Sequence, residues 1–101
     1  MFFCSKVTLH AKKRYCERRR PGWLYIIDKV LFHQPLLADE KSKYDQIERE
    51  ILEIVNYKAK IVSGMTKNNP NRVLLEYKGL TYVLKKEKGE WKVITVQFSY
   101  Y

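Results

Sequence analysis

His10, Arg14 and Arg18 stand four residues apart in the basic stretch Lys6-Val7-Thr8-Leu9-His10-Ala11-Lys12-Lys13-Arg14-Tyr15-Cys16-Glu17-Arg18-Arg19-Arg20. If that stretch is helical, the three line one stripe, and Ala11 and Tyr15 form the neighbouring one, small and aromatic and suited to packing. An imidazole titrates near neutrality, and the two guanidinium forks beside it are permanently charged. Such a set could hold a phosphate and move a proton to or from it. The bland alternative has His10 bonding to a nearby backbone or strand group. Arg14 and Arg18 would then solvate the surface or pair with Glu17 or the acids of another helix. As a triplet, Arg18-Arg19-Arg20 reads as general electrostatics.

The elements that must position these residues follow from local signals. Thr8 can cap a helix, and Leu9 to Arg19 holds neither Gly nor Pro before Arg20-Pro21-Gly22 stops it. Trp23, Ile26, Ile27, Val30 and Leu31 recur at helical spacing, predicting a second helix over 22–33 with a core-facing apolar side. His33 would cap its end and Pro35 would close it, leaving an irregular turn over 34–38. A third helix is predicted over 39–58, capped by Asp39 or Ser42, with Ile47, Ile51, Ile54 and Val55 on its apolar stripe. Residues 59–62 either continue it or form a short strand, and 65–71 read as a polar loop.

Beyond residue 71 the period changes to two. Strands are predicted over 72–77, 80–85 and 90–98, joined by turns at Lys78-Gly79 and Lys86-Glu87-Lys88-Gly89. Tyr100-Tyr101 follow as a frayed tail or an exposed aromatic contact. The fold class expected is α+β: two or three N-terminal helices packed on a C-terminal antiparallel three- to four-stranded meander, in one domain spanning 1–101.

Twenty Lys+Arg against eleven Asp+Glu give a formal charge of +9, high for 101 residues. Residues 1–20 carry seven basic and one acidic side chain, 21–60 six and seven, and 61–101 seven and three. Positive charge therefore sits at both ends of the chain, and makes one basic face if the ends meet. That balance suits nucleic acid or another polyanion, an anionic membrane surface or an acidic protein partner, without choosing among them. Cys4 and Cys16, without a CxxC spacing or a leader-like apolar run, read as free thiols of a cytoplasmic protein. No apolar stretch approaches the roughly 20 residues of a membrane span.

Several chemistries lack their motifs. The four glycines are scattered, so no phosphate-cradling loop is present, and there is no GxSxG elbow. His10 and His33 lack ligand spacing, so neither metal nor cofactor is expected. Cys16 and His10 would face different ways on one helix, which argues against a Cys–His nucleophile.

The head Thr8-Leu9-His10-Ala11-Lys12-Lys13-Arg14-Tyr15-Cys16-Glu17-Arg18 and the tail Trp91-Lys92-Val93-Ile94-Thr95-Val96 resemble the "T-x-H-A-x-x-R-x-x-x-R" and "V-I-T-V" segments of small phage and bacterial proteins in the RelE/colicin-D-like ribonuclease superfamily. Element order extends the resemblance over most of the chain, while residues 21–70 match nothing in it. It implies a toxin-like, metal-independent endoribonuclease, or a derivative that kept only the scaffold. In the active form His10 would transfer the proton, with Arg14 and Thr95 completing the catalytic set. Arg18, Arg19, Arg72, Tyr82 and Lys85 would contact RNA, since similar folds place their sites where strands face the first helix. RNA is implied because the nucleophile is its own 2′-OH. Two further readings need no catalysis: a nucleic-acid-binding module, and a phage-encoded inhibitor docking on an acidic host protein. An antitoxin is the corresponding partner of the toxin-like reading. Tyr82 and Thr95 also have bland roles, as sheet packing and as a β-branched strand residue.

Overall fold

The computed structural model describes residues 3–64 and 70–99, so Tyr100, Tyr101 and most of the predicted polar loop lie outside the described residues. The order is β1 (Cys4–Val7), α1 (Leu9–Arg19), a 3₁₀ turn (Pro21–Trp23), α2 (Leu24–Leu31), α3 (Ala38–Glu53), a π turn (Ile54–Lys58), β2 (Lys60–Ser63), β3 (Arg72–Tyr77), β4 (Leu80–Glu87) and β5 (Glu90–Phe98). Three helices pack on a five-stranded sheet of order β1-β5-β4-β3-β2. The antiparallel meander of β2 to β5 is the one expected. β1 is additional, and joins β5 in parallel.

α1 has the limits its cap dictates. The Thr8 hydroxyl accepts the Ala11 N–H (3.2 Å) and donates to the Ile94 carbonyl (3.2 Å), while the Thr8 N–H reaches Val93 (3.0 Å). One residue thus starts the helix and ties it to β5. Thr8→Ala is expected to cost about 1–2 kcal/mol in urea denaturation, the usual range for a lost cap; a change of only a few tenths would leave Thr8 without that role.

Two local expectations need correction. The second helix begins as a 3₁₀ turn because Pro21 and Gly22 sit at its head, and it stops at Leu31, where His33 takes a left-handed φ of 56° before Pro35 is reached. Only Ile26 and Ile27 of its apolar side are fully buried; Leu31 is exposed. The third helix is capped by neither Asp39 nor Ser42. The Glu40 carboxylate turns back to accept the Leu37 N–H (2.9 Å) and pairs with Lys29 (2.8 Å), which holds its carboxyl below the ordinary range. The helical run ends at Lys58 as expected, its last turn widened to a π turn from Ile54, and of the two alternatives for 59–62 the short strand is the one formed, as β2.

Both hairpins close on two residues of positive φ, Lys78-Gly79 and Lys88-Gly89, so β4 extends through Glu87. Such turns match the strand twist and fix register. Ile27, Ile47, Ile51, Leu84 and Val93 are wholly buried between helices and sheet. The Asn56 side chain, carried on the π turn, bonds both the N–H (2.8 Å) and the carbonyl (2.9 Å) of Cys4, covering the free edge of β1.

Candidate functional site

The predicted helical stripe divides according to what lies beneath it. Ala11, Lys12, Tyr15 and Cys16 form the buried side of α1, so His10 falls on the opposite, exposed side. Among the described residues its imidazole makes no hydrogen bond or ion pair. Arg14 pairs with Glu17 (3.3 Å). Arg18 turns towards the sheet, stacks over the Phe98 ring (4.4 Å) and donates to the Arg14 carbonyl (3.3 Å). Lys12, missed as a buried cation, lies over Tyr44 (4.3 Å) and 3.9 Å from Glu48.

The other sequence-selected residues fall on the two faces of the sheet. On the face away from the helices, strand register sets Lys6 opposite Lys92, Lys92 opposite Lys85, and Lys85 opposite Arg72. Directly paired residues point the same way, so four neighbouring strands carry a cross-strand row of cations. At about 4.8 Å per strand the row is roughly 14 Å long. Glu87 pairs with Lys92 (3.0 Å) and Lys85 (3.7 Å), and Glu90 with Lys6 (2.8 Å). Those bonds hold both carboxyls below their ordinary range and raise Lys6 above its own. Arg72 has no acidic partner among the described residues. The row therefore keeps a net charge of +2, concentrated towards Arg72.

Beside it is a hollow of about 340 Å³ lined by Asn71, Arg72, Val83, Lys85, Ile94 and Thr95. Thr95 faces this way because the β4–β5 register shifts at Val83/Leu84. The bulge lets Val93 and Val96 both enter the core while Thr95 pairs with Val83 on the far face.

Arg19 and Tyr82 lie on the helix side, at a second hollow of about 350 Å³ where α1, the π turn and the β3–β4 turn converge. Its fixed point is Glu50. The carboxylate accepts from the Tyr15 hydroxyl (2.9 Å), from Arg20 Nε (3.2 Å) and Nη2 (2.9 Å), and from Gln46 (3.0 Å). Burial pushes the Glu50 carboxyl up, but these bonds together outweigh it and hold the group below its ordinary value. Tyr15 is driven the other way, by burial first and by its bond to Glu50 second.

Three of the selected residues, Arg72, Lys85 and Thr95, thus share one hollow; Arg19 and Tyr82 share another; His10 and Arg14 line neither. Arg18 stands apart at Phe98. Lys6, Lys92 and Asn71 were missed. Lys92 follows from the β4–β5 hairpin register, opposite Lys85, whereas Lys6 is visible only once β1 is known to pair with β5, strands whose Cys4 and Trp91 are 87 residues apart in sequence. Both cysteines are free and buried, and burial raises their thiols, Cys16 to about 11, so neither is poised as a thiolate. No group of three metal-ligating side chains occurs among the described residues. Comparison with protein-family models, with curated proteins and with solved structures finds no match to this chain.

Proposed function

We propose that the chain is a small basic RNA-directed protein that holds the phosphate backbone of RNA on the open face of its sheet. The row Lys6, Lys92, Lys85 and Arg72 carries this reading. Cations at regular spacing across adjacent strands suit a polyanion lying along the row, and Thr95 and Asn71 add hydrogen-bonding groups beside it. The order of helices before meander agrees with the resemblance to the RelE/colicin-D-like scaffold. Cleavage is supported less than binding, because it asks for a proton-transfer group next to the phosphate-holding cations. His10 lies on the outer side of α1, and Arg72, Lys85 and Thr95 line the far face of the sheet. Among the described residues no helix is long and apolar enough to cross a membrane.

Fluorescence anisotropy with a 5′-hydroxyl single-stranded RNA over a range of salt tests the proposal. Each of Arg72→Ala, Lys85→Ala and Lys92→Ala is expected to lower the magnitude of the log K against log [salt] slope by about 0.7, and the triple variant by about 2. A triple variant with the wild-type slope would remove the open face from the interaction. Cleavage of the same RNA in EDTA, abolished by His10→Ala, would replace this reading with the endoribonuclease one.

A further inference from the structure

We propose that the hollow between α1, the π turn and the β3–β4 turn is a separate site for a phosphate monoester of nucleotide size. Its most informative member is Tyr82. The residue is 1% exposed, its ring is packed in the core, and it lines this hollow. Among the described residues its hydroxyl has no hydrogen-bond partner. The hydroxyl is not among the buried polar atoms left without a partner, so it opens on the hollow from an otherwise buried ring. There it is free to donate to a ligand acceptor atom.

The charges around the hollow select the sign of that ligand. Glu50 is saturated by Arg20, Tyr15 and Gln46, and Glu53 pairs with Lys58 (3.6 Å). Neither carboxylate is left to receive a cation. Arg19 is held by the Lys78 carbonyl, which fixes its guanidinium at the rim, and the Lys78 ammonium lies over the Tyr77 ring (5.4 Å) without an ion pair among the described residues, the nearby Glu76 carboxylate being taken by the Gly79 N–H (2.9 Å). Two helix C-termini end nearby, and their carbonyl dipoles absorb part of the charge of Arg19, Arg20 and Lys58. Lys78, on the hairpin turn, belongs to neither helix. The donors remaining for a ligand are therefore Arg19, Lys78 and the Tyr82 hydroxyl, a set matched to phosphate oxygens. About 350 Å³ is room for more than inorganic phosphate, at the small end of the range for ligand pockets, and the Tyr77 ring offers a flat face to a base.

Phosphate on a ribose could arrive as a free nucleotide or as the phosphorylated end of an RNA strand, and titration calorimetry separates the two. Wild-type protein is titrated with a nucleoside 5′-monophosphate, the parent nucleoside, inorganic phosphate and a 5′-phosphorylated RNA oligonucleotide. The monophosphate is expected to bind at least about tenfold more tightly than the nucleoside, and Tyr82→Phe, which preserves the ring, to weaken it by about tenfold. Lys78→Gln is expected to act in the same direction. Equal binding of nucleoside and monophosphate, or a Tyr82→Phe protein that folds normally and binds undiminished, would overturn the site. A 5′-phosphate that strengthens oligonucleotide binding as much as it does the nucleoside's identifies an RNA end as the source; preference for the mononucleotide identifies the free form. The open-face reading stands or falls separately, on the 5′-hydroxyl RNA.

Discussion

Replacing Glu50 with alanine is expected to cost the fold about 2–4 kcal/mol, because one carboxylate satisfies Tyr15 of α1, Arg20 just after it and Gln46 of α3. Arg20, about half exposed, regains water when its partner goes. Tyr15 does not: it is 5% exposed, and its hydroxyl would remain in the core without an acceptor. Most of the loss therefore comes from the tyrosine and not from the ion pair. The pH dependence has a definite sign. Glu50 titrates below its ordinary value of 4.5 in the folded chain, so ionisation favours the native state. That contribution is complete above the unfolded value and disappears as pH falls through the depressed native one. Urea denaturation of wild type and Glu50→Gln at about pH 7 and about pH 3 checks it. The difference in stability between the two should shrink at the lower pH, since Glu40, Glu87 and Glu90 are common to both proteins and cancel. An undiminished difference would mean that the carboxylate's charge is irrelevant.

Asn56→Ala is expected to cost about 2–3 kcal/mol, with the effect concentrated on β1. Two bonds are lost at once, and they are the edge bonds of a four-residue strand whose other side leans on β5. Amide exchange should speed up at Lys6 and Val7 far more than at β3 or β4. Asn56→Asp keeps the acceptor for the Cys4 N–H but sets a carboxylate against the Cys4 carbonyl, so it should recover little. Uniform acceleration across the sheet would show instead that Asn56 acts on the whole fold.

The reach of sequence reading tracks the range of the interactions involved. α1 was legible to the residue because its start is a hydroxyl three positions from the N–H it accepts, and its end is Arg20-Pro21. β3, β4 and β5 were legible from period-two patterning and from glycines at turn positions of positive φ. β1 was not: Cys4-Ser5-Lys6-Val7 is four residues with a bulge, and its partner is the last strand. The end of the third helix was obscured because Ile54 and Val55 are buried whether the turn there is α or π. For the site, spacing brought His10 and Arg14 together on one helix and set Ala11 and Tyr15 on the adjoining stripe suited to packing, but did not reveal that the sheet's cations lie on its far face. Ala11, Tyr15 and Cys16 take the core side, and the imidazole is left outside. The side that Thr95 takes is nonetheless written in the strand. Trp91, Val93 and Val96 break strict alternation by one residue, which marks the bulge at Ile94 and puts Thr95 on the open face with Lys85.

The parallel pairing of β1 with β5 has a consequence for how the molecule is made. Synthesis delivers β1 well before β5, the strand it must lie against, since Trp91 follows its partner Cys4 by 87 residues. At about 5–20 residues per second that is a wait of roughly 4–17 s, during which Val7 and the apolar side of α1 have no permanent place to go. The helices and the middle hairpin can assemble meanwhile, but β1 has no strand to pair with until β5 arrives. Over that interval the apolar side chains of β1 and α1 depend on partial contacts or chaperones to stay out of aggregates.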